Sequence, residues 1–128
     1  MDDFDEKGPL ERRRFLRVPF KTQIIIQNLD SGRVIESVHS RDISLKGIYC
    51  YTEEPFPVGS PCSIQLHLTG TSSILWFELQ GRVQRTDPQG MALSFDSMDL
   101  DAFIHLKNIL YYNSGDPGKI DDEIKKIH

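Results

Sequence analysis

Between Lys21 and Phe95 apolar and polar residues alternate in one short stretch after another, and most stretches end in turn-forming residues. Alternation with a period of two is the signature of strands buried on one face. The cleanest case is Cys62, Ile64, Leu66 and Leu68 set between Ser63, Gln65 and His67, which leaves His67 on the wet face. Residues 23–29 are rich in isoleucine and end at Asp30-Ser31-Gly32. Residues 33–40 follow with Val34 and Val38 on one face, so the two stretches predict a hairpin. Residues 48–51 read as another strand, 53–59 as a proline-bearing loop and 69–73 as a polar loop. Phe77, Leu79 and Val83 alternate with polar neighbours, and Asp87-Pro88-Gln89-Gly90 turns the chain into Met91, Leu93 and Phe95. About six antiparallel strands this short leave exposed edges unless the sheet closes, so a small closed or nearly closed barrel is expected.

One irregularity interrupts the alternation. Val38 differs in parity from Ile43 and Leu45, which requires a bulge or break near residues 39–42. After Phe95 the spacing becomes helical. Leu100, Phe103, Ile104, Ile109 and Leu110 form a stripe, with Asp99 and Asp101 at its start and Gly115 beyond its end. Ile120, Ile124 and Ile127 suggest a short second helix, which must dock on something because alone it is marginal in water. The expected layout is mainly β: a flexible arm over residues 1–20, a barrel over 21–96, a C-terminal helix over 97–114 and a tail or short helix over 115–128.

Composition narrows the function. A chain of 128 residues with 38% hydrophobic and 27% charged residues reads as one soluble domain. A net charge of -4 argues against bulk binding to DNA or RNA, because nonspecific affinity comes from neutralising phosphates. The apolar runs fall far short of the roughly 20 residues that cross a bilayer, and residues 1–7 are acidic where a signal peptide is basic. A cytoplasmic monomer with no membrane insertion is expected. Cys50 and Cys62 sit in strand-like sequence and read as reduced core thiols. His39, His67, His105 and His128 have no ligand spacing, and neither a metal site nor a catalytic triad emerges, so the chain is not read as an enzyme.

Charge is unevenly placed along the chain. Asp2, Asp3, Asp5 and Glu6 precede Arg12, Arg13, Arg14 and Arg17, so a basic arm follows an acidic tip. Arginine forks pair with phosphate oxygens, contact a guanine edge and stack on purines. At the parity break, Asp42 and Ser44 lie two apart and emerge on one face of an extended chain, while Ile43 and Leu45 anchor the other. Gly47 then permits close backbone approach or a positive φ. A solvated arm and a local cap are the plain alternatives for these two clusters. Phe15, Leu16, Val18 and Phe20 are expected to staple the root of the arm to the barrel. Trp76, Tyr49 and Tyr51 are expected to be core residues or cross-strand partners, outside the site.

These residues resemble the PilZ domains, bacterial receptors for cyclic di-GMP. Arg13 and Arg17 match the RxxxR motif, and Asp42, Ser44 and Gly47 match (D/N)xSxxG, in the family's order and with a strand pair between them. The resemblance covers residues 10–112 and looks like the stand-alone members. It implies a six-stranded antiparallel barrel with a C-terminal helix. Arg13 and Arg17 would clasp phosphates and guanine faces, and Asp42, Ser44 and Gly47 would meet a guanine edge. Arg12, Arg14 and Arg85 rank second, and the ligand would bind singly or as an intercalated dimer. The implied function is a sensor that acts on a downstream protein, with no cofactor beyond the ligand. An adaptor with a vestigial site, or a small single-strand-binding barrel, are the rival readings.

Overall fold

The computed structural model describes residues 15–69 and 74–126. Along these residues run β1 (Val18–Pro19), β2 (Gln23–Asn28), β3 (Val34–Ile43), β4 (Gly47–Tyr51), β5 (Pro61–Thr69), β6 (Ile74–Asp87), β7 (Gly90–Ser97), α1 (Leu100–Asn113) and α2 (Pro117–Lys126). Hydrogen-bonded neighbours run β3-β2-β5-β6-β7-β4, and β4 pairs back onto β3. Six antiparallel strands therefore form a closed ring, as expected, and β1 adds a short rung beside β3.

Closure depends on the length of β3. Its first part pairs with β2, from Gln27↔Val34 to Gln23↔His39, and its last residues pair with β4, from Ser40↔Cys50 to Ile43↔Ile48. The interior is filled by Ile24, Ile26, Ile48, Cys50, Cys62, Ile64, Leu66, Leu79, Met91 and Leu93, each almost wholly buried. Each of the isoleucine, leucine and methionine side chains contributes about 1.5–3 kcal/mol relative to exposure. Burial pushes the Cys50 thiol up to about 12 and the Cys62 thiol up to about 11, so both stay protonated and inert.

The required irregularity is a β-bulge. β3 advances two residues from Ser40 to Asp42 while β4 advances one, leaving Arg41 as the extra residue. A second irregularity in β3 lies between the partners of Ile24 and Ile26, where Val38 and Ile35 are three apart. It reverses the expected parity at the start of the strand: Ile35 packs against the core and Val34 is exposed.

The helical stripe is also rotated from its expected position. Ala102, Leu106, Ile109 and Leu110 are buried, whereas Leu100 is 71% exposed and Ile104 faces water. Leu106 joins the other three at helical spacing and turns the face by about one residue. Asp99 caps α1 by accepting the Ala102 N–H at 2.8 Å, and Ser114 closes its end with Gly115 just beyond, as expected.

The segment expected to be a free arm up to residue 20 is tied down at its root. Val18 is buried in the core and Pro19 pairs with Asp42, while Phe15, Leu16 and Phe20 pack against the core as staples. The second helix exists and docks: Ile120 is fully buried, Ile124 packs beside it, and α2 contacts α1. Ile127 lies outside the described residues. No helix among those described is long and apolar enough to cross a membrane.

Candidate functional site

The site grows from the short connection between β3 and β4. Ser44 donates its N–H to the Gly47 carbonyl at 2.9 Å, and its Oγ accepts the Lys46 N–H at 3.1 Å, so the side chain folds into its own turn. Leu45 is buried beneath it. Gly47 is needed for close approach and not for a positive φ: a Cβ there would lie 2.4 Å from the Leu93 carbonyl oxygen across the β4–β7 pair.

The bulge places Arg41 and Asp42 side by side on the outside of the ring. Ile48 and Cys50 point into the core, so Tyr49 between them points outward. Tyr49 is nevertheless only 1% exposed, because the Arg41 guanidinium lies 3.8 Å from its ring centroid and covers it. The Tyr49 hydroxyl donates to Asp87 Oδ1 at 2.6 Å, and burial together with that bond pushes the phenol up to about 12. Tyr51, two residues along the same strand, meets the Tyr49 ring edge to face at 5.8 Å. Trp76 stacks on its cross-strand partner His67.

β1 brings in the arm. Its register, Val18↔Ile43 and Pro19↔Asp42, sets the preceding Arg17 over the Asp42–Ser44 edge. Arg17 Nε donates to Asp42 Oδ1 at 2.6 Å, and Nη1 lies 3.5 Å from Ser44 Oγ. Arg41 Nε donates to the second oxygen, Oδ2, at 2.8 Å. Partial burial opposes the charge on Asp42, but the bonds from Arg41 and Arg17 outweigh it and hold the carboxyl below its ordinary value. The same bond raises the already high affinity of Arg41 for its proton.

A groove of about 830 Å³ opens beside this cluster, lined by Phe15, Arg17, Arg41, Ser44, Lys46, Gly47, Gln84, Arg85, Ala92, Leu93 and Ser94. Its size falls within the roughly 300–1,000 Å³ of small-molecule sites. Four cations line it, Arg17, Arg41, Lys46 and Arg85, while Asp42 stands behind two of them and is not on the wall. Such a groove suits an anion with flat rings, which guanidinium forks can both pair with and stack against. Arg85 Nη1 sits 3.9 Å from Asp87 Oδ2, and its guanidinium is 6.0 Å from the Tyr49 ring.

Of the residues singled out from sequence, Arg17, Asp42, Ser44, Gly47 and Arg85 converge on this groove or its edge. Arg12, Arg13 and Arg14 lie outside the described residues. Sequence reasoning missed Arg41, Lys46, Gln84 and Phe15. The parity break located the bulge, but only the register identified Arg41 as the extra residue on it.

The PilZ domain family matches residues 11–112 of the sequence. The PilZ domain of CeSA from a cellulose-synthesizing bacterium shares the fold, with 14% identity and a TM-score of 0.57 over 75% of this chain and 95% of that one. The Bacillus subtilis inhibitor of motility (MotI/DgrA) shares it at 22% identity, with a TM-score of 0.61 over 84% of this chain. This chain spans 55% of the motility inhibitor. No curated protein matches it in sequence.

Proposed function

This chain belongs to the PilZ domain family, and we propose that it is a non-enzymatic receptor that binds cyclic di-GMP in the groove between Arg17 and Arg85. The observation that carries this reading is the pair of arginines bonded to Asp42, one on each oxygen. One carboxylate holds Arg17 and Arg41 at the mouth of a cationic groove, so the binding groups are arranged before a ligand arrives. In this reading the guanidinium groups of Arg17 and Arg41 meet phosphate oxygens and purine faces. As the two arginines turn to the ligand, Asp42 is freed to join Ser44 on a guanine edge, and Gly47 keeps the groove floor thin. Lys46 adds a point charge, and Arg85 closes the far wall. Arg13, four residues before Arg17, would extend the clasp along the arm.

Each guanidinium then exchanges part of its pairing with Asp42 for the ligand's phosphates. The ligand biases the arm only by what it binds better with the arm closed, so contacts to Arg13 and Arg17 are the source of any conformational output. That output would be a changed surface offered to a downstream protein. The apolar surface of Leu45, Phe95, Met98, Leu100 and Phe103 adjoins the groove through Lys46, which lines both.

Calorimetric titration with cyclic di-GMP, cyclic di-AMP, cyclic GMP and GTP tests this directly. Binding of cyclic di-GMP alone is expected. Arg17→Ala and Asp42→Ala should each weaken it at least about tenfold, the scale of a lost charged hydrogen bond, with the fold intact. Wild-type affinity in both variants would overturn the assignment, and no binding by the wild-type chain would favour an adaptor with a vestigial site.

A further inference from the structure

The two ends of the fold meet at a carboxylate that the nucleotide site does not use. Glu123, on α2, is only 4% exposed. Its Oε2 accepts the backbone N–H of Leu16 at 2.6 Å across 107 residues of sequence. Lys119 Nζ, one turn earlier on the helix, is 3.8 Å from the same oxygen and supplies the counter-charge. Oε1 is buried with no hydrogen-bond partner among the described residues. Burying a carboxylate with half its acceptor capacity unused is costly, and an apolar side chain beside Ile120 and Ile124 would avoid that cost. What the carboxylate secures is the chain just before Arg17. The β1 ladder covers only Val18 and Pro19, so Leu16 lies beyond the last rung, where Glu123 takes the place of a strand partner.

We infer that Glu123 is a positioning residue for the groove: by clamping the Leu16 backbone it holds Arg17 over Asp42 and Ser44, and so couples docking of α2 to nucleotide affinity. This rests on the nucleotide reading above. A site whose competent arrangement is populated only part of the time binds more weakly by that fraction.

The test compares Glu123→Ala and Glu123→Gln in the full chain, and alanine favours the helix, so α2 is retained. Without nucleotide, amide exchange at Leu16 should accelerate in E123A and stay near wild type in E123Q, whose amide oxygen accepts the same N–H. Cyclic di-GMP affinity should fall roughly tenfold in E123A and be largely restored in E123Q, as when one charged hydrogen bond no longer holds the competent state. Unchanged Leu16 exchange in E123A overturns the clamp. Faster exchange with unchanged affinity overturns the coupling. A wild-type chain that ignores cyclic di-GMP overturns the nucleotide reading and the coupling with it, while Leu16 exchange still reports on the clamp alone.

Discussion

Arg17 and Asp42, 25 residues apart in sequence, are joined side chain to side chain, with Nε donating to Oδ1 at 2.6 Å. Because Arg41 takes the other carboxylate oxygen, Asp42 is the hinge of a three-residue ion cluster at the edge of the groove.

That cluster gives stability a defined pH dependence. The folded state holds the Asp42 carboxyl below its ordinary value of 3.8, so on acidification the unfolded chain takes up the proton first. The stabilisation is fully present above that ordinary value and is lost as pH falls through the depressed folded one. Urea unfolding of wild type and Asp42→Asn should differ by up to about 1 kcal/mol at neutral pH, the scale of a part-exposed ion pair, and should converge in acid. A difference that does not shrink as the pH falls below 3.8 would contradict the assignment.

Arg41 does two things that a lysine cannot do together: its Nε donates to Asp42 while the rest of its guanidinium covers the Tyr49 ring. Both Arg41→Ala and Arg41→Lys are therefore expected to weaken cyclic di-GMP binding about tenfold, with lysine giving little rescue. Titration calorimetry of the pair reads this out, and wild-type affinity in the lysine variant would reduce Arg41 to a simple charge.

Gly47→Ala should destabilise the chain by about 1–3 kcal/mol, because its Cβ has to displace the Leu93 carbonyl, which is backbone and cannot swing aside. Chemical denaturation measures the loss, and unchanged stability would mean that β4 and β7 are not so closely apposed.

The helix face is tested by a matched pair. Leu106→Ala, at a fully buried position, should cost about 2–5 kcal/mol, whereas Leu100→Ala, at an exposed one, should stay within about 0.5 kcal/mol. Equal thermal shifts would restore the stripe expected from sequence.

Much of the fold was legible because period-two burial is a local property. Cys62, Ile64 and Leu66 face inward as their alternation requires, and the change of parity between Val38 and Ile43 required the bulge that is found. The site was legible in part: Arg17, Asp42, Ser44, Gly47 and Arg85 carry recognisable chemistry and meet at one groove or its edge. Val34 and Leu100 were misplaced because parity and helical phase each turn on one residue. The extra residue in β3, and Leu106 completing a rotated stripe, decide which side is inward.

The amino-acid order by itself determined the strands, their turns, the irregularity before Asp42 and the family to which the motifs point. All of these follow from side-chain spacing within a few residues. Tertiary structure alone decided that Arg41 covers Tyr49, that Asp42 stands behind two arginines and that Glu123 reaches Leu16. Those relations depend on which strand lies beside which and in what register, and ring closure sets that through contacts remote in sequence.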